Sequence, residues 1–280
     1  MLSQKWKYYN HAIIPTSAPH EIVDTTLVER GDIWKLYGKK ALFVRWTSNF
    51  DCGFETGWWY CIKDTDFDIN ALKSKRRYEI TSGLKFCYAE KINPEKYTED
   101  IFRCYKLANE EYKNTGKVID KKVFLNNLIE DSKNRNKEYW GVFLKETKEM
   151  VGYAYNNVFG QYVDFTTIKF IPQYLHYKSS AVLVYAMLME YRNKQKKRYI
   201  NDGERSISHK TNFQEYLIKY FGFRKAYCML HIKYRMIIKI VVYILYPFRR
   251  ILLKMDKYHL FHYINAVLQM EEIVRKQKME

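Results

Sequence analysis

The 280-residue sequence predicts an α/β fold: a mixed, mostly antiparallel sheet flanked by helices, then an apolar and basic helical extension. Three observations lead there. Residues Asp164 to Arg235 read in succession as strand, helix, strand, amphipathic helix and strand. A hydrophobic content of 47% with 17% aromatics argues against disorder. Met236–Phe248 (MIIKIVVYILYPF) is almost wholly apolar, and Arg249, Arg250, Lys254 and Lys257 follow it.

Taken in order, residues 1–70 form an aromatic-rich region whose stretch Arg45–Tyr60 carries Glu55, bracketed by two glycines, and then Trp58 and Trp59. Aromatic faces beside carboxylates suit a sugar ring, so these three are candidate acceptor-binding residues; the alternative is an aromatic core between a strand and a turn. A helix is expected around Ile69–Ile80, with the acids of Asp64–Asp68 capping its start. On it Lys73, Arg76 and Arg77 share a face by i, i+3, i+4 spacing. Arg76 and Arg77 then either clamp a pyrophosphate bidentately or stay solvated.

Glu90–Tyr112 and Asp120–Asp131 read as further helices, 132–138 as a polar loop, and Tyr139–Leu144 with Met150–Val158 as a hairpin entering the sheet. The strand Asp164–Ile171 (DFTTIKFI) is β-branched and aromatic and stops at Pro172, and Ser179–Tyr191 is a good helix former opened by two serines. Arg198–Ile200 is a short strand leading into a polar loop at Asn201. Thr211–Tyr220 places Phe213, Tyr216, Leu217 and Tyr220 on one helical face before Gly222, and Ala226–Arg235 is one more strand. These readings divide the chain into 1–70, a helical part 71–135, a core 136–235 and an extension 236–280.

Two passages resemble known proteins. NFQEYLIKYFGF over Asn212–Phe223 is similar to the helix of GNAT acyl-CoA N-acyltransferases that opens near an Asn and closes with Gly-Phe; LKSKRRYEITSG over Leu72–Gly83 is similar to a Leu-x-x-x-Arg-Arg-x-x-Ile segment of Fem-type aminoacyltransferases, which modify cell-wall precursors. The resemblance implies a GNAT-like sheet over roughly residues 50–235. It also implies transfer of an acyl or aminoacyl group to an amine of a cell-surface polysaccharide or peptidoglycan precursor, a glycan or lipid-linked acceptor. Acyl-CoA or aminoacyl-tRNA would be the donor, with no metal. By the same resemblance Lys178, Ser179, Ser180 and Asn212 are the candidate donor-binding residues. The chain departs from the GNAT pattern in two places: the turn before Ser179 holds no glycine, and Ile218 stands where many GNAT members carry a tyrosine.

Amine acylation needs a base, donors for the oxyanion and a place for the leaving group. In the polar stretch Asn201–Asn212, Asp202 or His209 is the candidate base and Arg205 the candidate carbonyl-polarising group. The alternatives are a turn-forming Asp before Gly203 and a histidine facing solvent. Histidines and cysteines show no metal-ligand spacing, and neither a P-loop nor a dinucleotide fingerprint is present.

Charge is uneven: residues 205–257 hold twelve Lys and Arg against two Asp and Glu, in a chain of net +17. An anionic partner is expected on that side, either a membrane surface or tRNA phosphates. The apolar run is shorter than the roughly 20 residues that span a bilayer and contains Lys239 and Pro247, so it either lies in the headgroup layer or packs over the sheet. Five cysteines without a C-x-x-C pair and a polar, aromatic start suggest a cytoplasmic protein, and the apolar run with its basic cluster places it peripherally at the inner face of the membrane. The rival reading is a non-catalytic membrane-surface or nucleic-acid-binding protein on a degenerate GNAT scaffold.

Overall fold

The computed structural model describes residues 5–37, 40–111, 118–207 and 212–277. In chain order its elements are β1 (Trp6–Tyr9), β2 (Ala12–Pro15), α1 (Thr26–Arg30), α2 (Ile33–Tyr37), β3 (Phe43–Ser48), β4 (Trp58–Lys63), α3 (Ser74–Phe86) and β5 (Cys87–Ile92). Then come α4 (Thr98–Glu111), α5 (Lys121–Ser132), β6 (Lys137–Leu144), β7 (Met150–Val158), β8 (Tyr162–Phe170), α6 (Ser179–Leu188) and β9 (Tyr199–Glu204). The chain closes with α7 (Phe213–Phe221), β10 (Arg224–Tyr234), α8 (Met236–Leu245), α9 (Arg249–Leu253) and α10 (His259–Gln277). The expected α/β class with mostly antiparallel pairing and helical flanks holds.

The contacts divide the described residues into two compact units, one from Met1–Cys61, Glu204–Asn212 and Lys225–Glu280, the other from Ile62–Gly203 and Phe213–Arg224. In the first, β1 and β2 form a hairpin, β2 runs parallel to β3, and β3 pairs antiparallel with β10 from Phe43–Tyr234 to Ser48–Met229. Trp6, Ile13, Val28, Ile33, Ala41 and Val44 build its core.

In the second unit, β5 to β8 are consecutive antiparallel strands and β9 adds parallel to β8. Helices cover both faces, which explains why β6 and β7 are buried almost continuously instead of on alternate residues. Ile101 and Cys104 of α4 and Leu128 of α5 pack on Tyr139, Phe143, Met150 and Tyr153. The centre of α6 is apolar all round, and seven of its ten residues are buried.

Several boundaries differ from those expected. Glu90–Tyr112 is no single helix, because Cys87–Ile92 pairs with β6 and the Asn93 side chain, accepting from the Glu95 N–H at 3.0 Å, opens a turn at Pro94 before α4. The helix expected at Ile69–Ile80 starts at Ser74, beyond reach of the acids before it. Those acids make tertiary contacts instead: Asp66 pairs with Arg192 at 3.0 Å, and Asp64 accepts from Arg224 at 3.1 Å. Ser179–Tyr191 keeps α-helical form only to Leu188 and widens to a π-turn over Met189–Lys194. The strand expected to end at Ile200 continues to Glu204, so Asp202 lies in a strand and not in a loop. The run Met236–Phe248 is helical to Leu245 and turns at Pro247 into α9.

Candidate functional site

In the second unit the parallel pairing of β8 with β9 covers Tyr162–Asp164 against Tyr199–Asn201, although β8 runs on to Phe170 beside β7. The ladder opens beyond that last rung, which a side-chain clasp marks: Asn201 Nδ2 donates to Asp164 Oδ1 at 2.8 Å, and Asn201 Oδ1 accepts from the Gly203 N–H at 3.0 Å. Carboxyl ends of parallel strands that part are where open sheets place ligands.

Asp202 follows the clasp and is half-buried. Loss of hydration pushes its carboxyl up to about 8, an effect that outweighs the opposing hydrogen bond from Gln214. Gln214 also donates to the Asp202 carbonyl oxygen at 3.3 Å. Two residues along α7, the Tyr216 hydroxyl lies 3.4 Å from Ser180 Oγ at the start of α6. Burial pushes the Tyr216 phenol up to about 12, so it stays protonated near neutrality. One short helix therefore touches both the strand end that bears Asp202 and the turn that opens α6.

That turn is built without glycine by other means. Pro172–Tyr177 forms a 3-10 turn, and Lys178 takes a left-handed conformation at φ +58°, where its carbonyl accepts from Ala181 and Val182. Lys178 Nζ lies 3.4 Å from Glu79 on α3. The approach of α3 requires Gly83: a Cβ there would stand 2.7 Å from Val182 Cγ2 and 3.0 Å from the Lys178 oxygen. Ser179 is fully buried and its hydroxyl donates to the Tyr174 carbonyl, so it holds the turn, whereas Ser180 is the serine that reaches α7.

Arg77 Nη2 donates to the carbonyls of Asn70 and Leu72 at 3.3 and 3.1 Å, committing it to the turn before α3, and Arg76 is half-buried on the same helix. His209 lies outside the described residues, and Asn212 is exposed.

Other expected site residues fall in the first unit. Arg205 donates to the Gly57 carbonyl at 2.6 Å and lines a hollow of about 460 Å³ with Glu55, Gln269, Glu272, Ile273 and Lys276. Glu55 is exposed and helps hold the Tyr227 phenol above its usual range, after burial as the larger cause. Trp59 is half-buried with the Lys225 ammonium 5.1 Å from its ring. Trp58, expected as a stacking surface, is 1% exposed with the Arg45 guanidinium 5.1 Å over its ring, which makes it core. Glu204 forms an ion pair with Arg45 at 2.8 Å and accepts from the Tyr60 hydroxyl at 3.1 Å.

Tyr216, Gln214 and Glu79 were not among the expected site residues. Tyr216 was visible only as part of an apolar helical stripe, because nothing in the sequence announces that its hydroxyl reaches Ser180. Among the described residues no cluster of three metal-ligating side chains occurs.

Solved structures with a similar fold include FemX, with 11% identity, a TM-score of 0.54, and coverage of 79% of this chain and 81% of that one. The chain has a GNAT-like, Fem-type fold. The C-terminal domain of a putative lysylphosphatidylglycerol synthetase from Agrobacterium fabrum is similar at 10% identity and a TM-score of 0.53, over 83% of this chain and 81% of that one. A conserved protein of unknown function from Bacteroides thetaiotaomicron matches at 12% identity and a TM-score of 0.51, over 79% and 78%. No family model and no curated protein matches the sequence.

Proposed function

We propose that the protein is an acyltransferase that moves an acyl or aminoacyl group onto an amine of a cell-surface polysaccharide or peptidoglycan precursor. The observation that carries this reading is the placement of α7, which sets Gln214 on Asp202 and Tyr216 on Ser180 where β8 and β9 stop pairing. The Fem-type fold and the name of the lysylphosphatidylglycerol synthetase that shares it favour an envelope acceptor.

The chemistry follows from the two shifted groups. Near its value of about 8, the Asp202 carboxylate takes the proton as the amine nitrogen attacks the donor carbonyl. A C–N bond forms, the C–S bond of an acyl-CoA or the C–O bond of an aminoacyl ester breaks, and the departing thiolate or alkoxide takes the proton of Tyr216. A hydroxyl that remains protonated well above neutrality is suited to that second step. Lys178 and the N-terminus of α6 offer positive charge for donor phosphates. Arg205 is the proposed carbonyl-polarising group and His209 the proposed alternative base. The basic net charge favours aminoacyl-tRNA as donor, since Lys and Arg neutralising phosphates give strongly salt-dependent binding.

Purified protein incubated with a radiolabelled acyl-CoA or aminoacyl-tRNA and an amine-bearing envelope precursor tests the reading. Label is expected on the acceptor with wild type and at least ~10²-fold less with Asp202→Asn. Equal transfer by both would remove Asp202 from the chemistry, and no transfer from either donor would reject the function.

A further inference from the structure

We propose that α8 and α9 form a docking face for an anionic lipid bilayer, with their apolar stripe in the headgroup layer and their cations beside it. This rests on the first unit alone and does not depend on the transfer chemistry.

A helix that packs on a protein needs one apolar face, and α8 has more. Val242 supplies a buried side at 5% exposure, whereas Ile237 and Ile240 stand 75% and 53% exposed. Ile237, Ile240, Val241, Ile244, Phe248 and Ile251 are all exposed, and within α8 their spacing of i, i+3, i+4 and i+7 puts four of them on one helical stripe. Folding leaves that stripe open, and contiguous exposed apolar side chains mark an interaction surface. Tyr243 and Tyr258 are exposed as well, aromatic groups of the kind enriched at the boundary between lipid and water.

The flanking charge selects the partner. Lys239, Arg250, Lys254 and Lys257 are exposed, and the one acid within residues 236–257, Asp256, is engaged by His262 at 3.1 Å and Asn265 at 3.0 Å. Arg249 plays a different part: it pairs with Glu272 and lies over the Tyr246 ring, fastening α9 to α10. Lys239 lies on another side of α8, but the exposed Arg250, Lys254 and Lys257 follow the apolar stripe along the chain and match an anionic leaflet, where each adjacent Lys or Arg raises affinity about fivefold. A symmetric dimer through the same face would set those cations against their own copies. A nucleic acid would leave the apolar stripe without a use.

Length settles the mode of contact. Ten residues of α8 span about 15 Å, half a bilayer core, and Pro247 ends the helix. No helix among the described residues is long and apolar enough to cross a membrane. The face therefore lies along the surface.

Co-sedimentation of the full chain with vesicles tests the docking. Phosphatidylglycerol-containing vesicles are expected to retain it at low salt, phosphatidylcholine vesicles to retain it at least tenfold less, and high salt to release it. Ile240→Asp with Ile244→Asp, and separately Lys254→Glu with Lys257→Glu, should each lower retention at least tenfold while circular dichroism melting stays near wild type. All four substitutions are at exposed positions, and the charge pair serves if the apolar pair disturbs folding. Failure of wild type to bind phosphatidylglycerol vesicles, or equal binding by both folded variants, overturns the proposal. Light scattering that shows a dimer dissolved by the apolar pair, with no vesicle binding by wild type, overturns it in favour of a second copy of this chain.

Discussion

The Gln214 side chain reaches from α7 to the Asp202 carbonyl oxygen across 3.3 Å, at the strand end where β9 has just left β8. That bond anchors the backbone of a residue whose carboxyl burial pushes up to about 8. With such a group as the base, the rate of transfer should climb with pH to a plateau above about 8. Asp202→Asn should lower the rate at least ~10²-fold and erase the climb; initial rates between about pH 6 and 9 check both.

The same shift has the opposite consequence for stability. A carboxyl whose folded value lies above its ordinary 3.8 favours the folded state while protonated, and that contribution fades as pH rises from about 4 to about 8. Asp202→Asn, which cannot ionise, should therefore be more stable than wild type near pH 9, by an amount of order 2 kcal/mol, with the difference shrinking toward pH 5. Urea unfolding at the two pH values measures it. A gain independent of pH would place the carboxyl's titration elsewhere.

Tyr216 is expected to act on the leaving group. Tyr216→Phe keeps the ring contacts with Phe213, Tyr220 and Phe221 and removes the hydroxyl near Ser180. Turnover should drop roughly 10- to 10²-fold with KM little changed, and less for donors with more acidic leaving groups. A rise in KM alone would make the hydroxyl a binding group.

Gly83 is where α3 meets the turn that opens α6. Alanine normally gains about 1 kcal/mol over glycine inside a helix, but here its methyl meets Val182 and the backbone oxygen of Lys178, and overpacking of that kind costs roughly 1–3 kcal/mol. Gly83→Ala should therefore destabilise the protein, by about 1 kcal/mol in a urea titration. A more stable variant would mean that the two helices separate freely.

The clasp between Asn201 and Asp164 gives a charge test. Asn201→Asp sets a second carboxylate near 2.8 Å from the first at a 5%-exposed position. About 2 kcal/mol or more should be lost near pH 7 and partly recovered near pH 4, where the pair shares a proton. Thermal melts at the two pH values decide it.

The elements that periodicity describes were legible in the sequence, and those that depend on a partner strand were not. The helix at Phe213–Phe221 and the strands at 150–158 and 224–234 follow from spacing and β-branched content. Glu90–Ile92 looked like the start of a helix because its composition suits either state, and only the pairing of Cys87–Ile92 with β6 decides. The Asp64–Asp68 run looked like a cap because local capping can be read from spacing, whereas its pairing with Arg192 and Arg224 joins residues more than a hundred positions apart. Asp202 was readable as a polar residue after a strand. Its raised carboxyl and the reach of Tyr216 to Ser180 arise from packing, which a single sequence does not display.

Mass spectrometry of cell-envelope precursors most directly tests group transfer. Cells with the wild-type protein should yield a precursor carrying a defined mass increment on an amine, and cells with Asp202→Asn should yield the same precursor without it. Identical spectra from the two, or from cells with and without the protein, would contradict a transferase acting on the envelope.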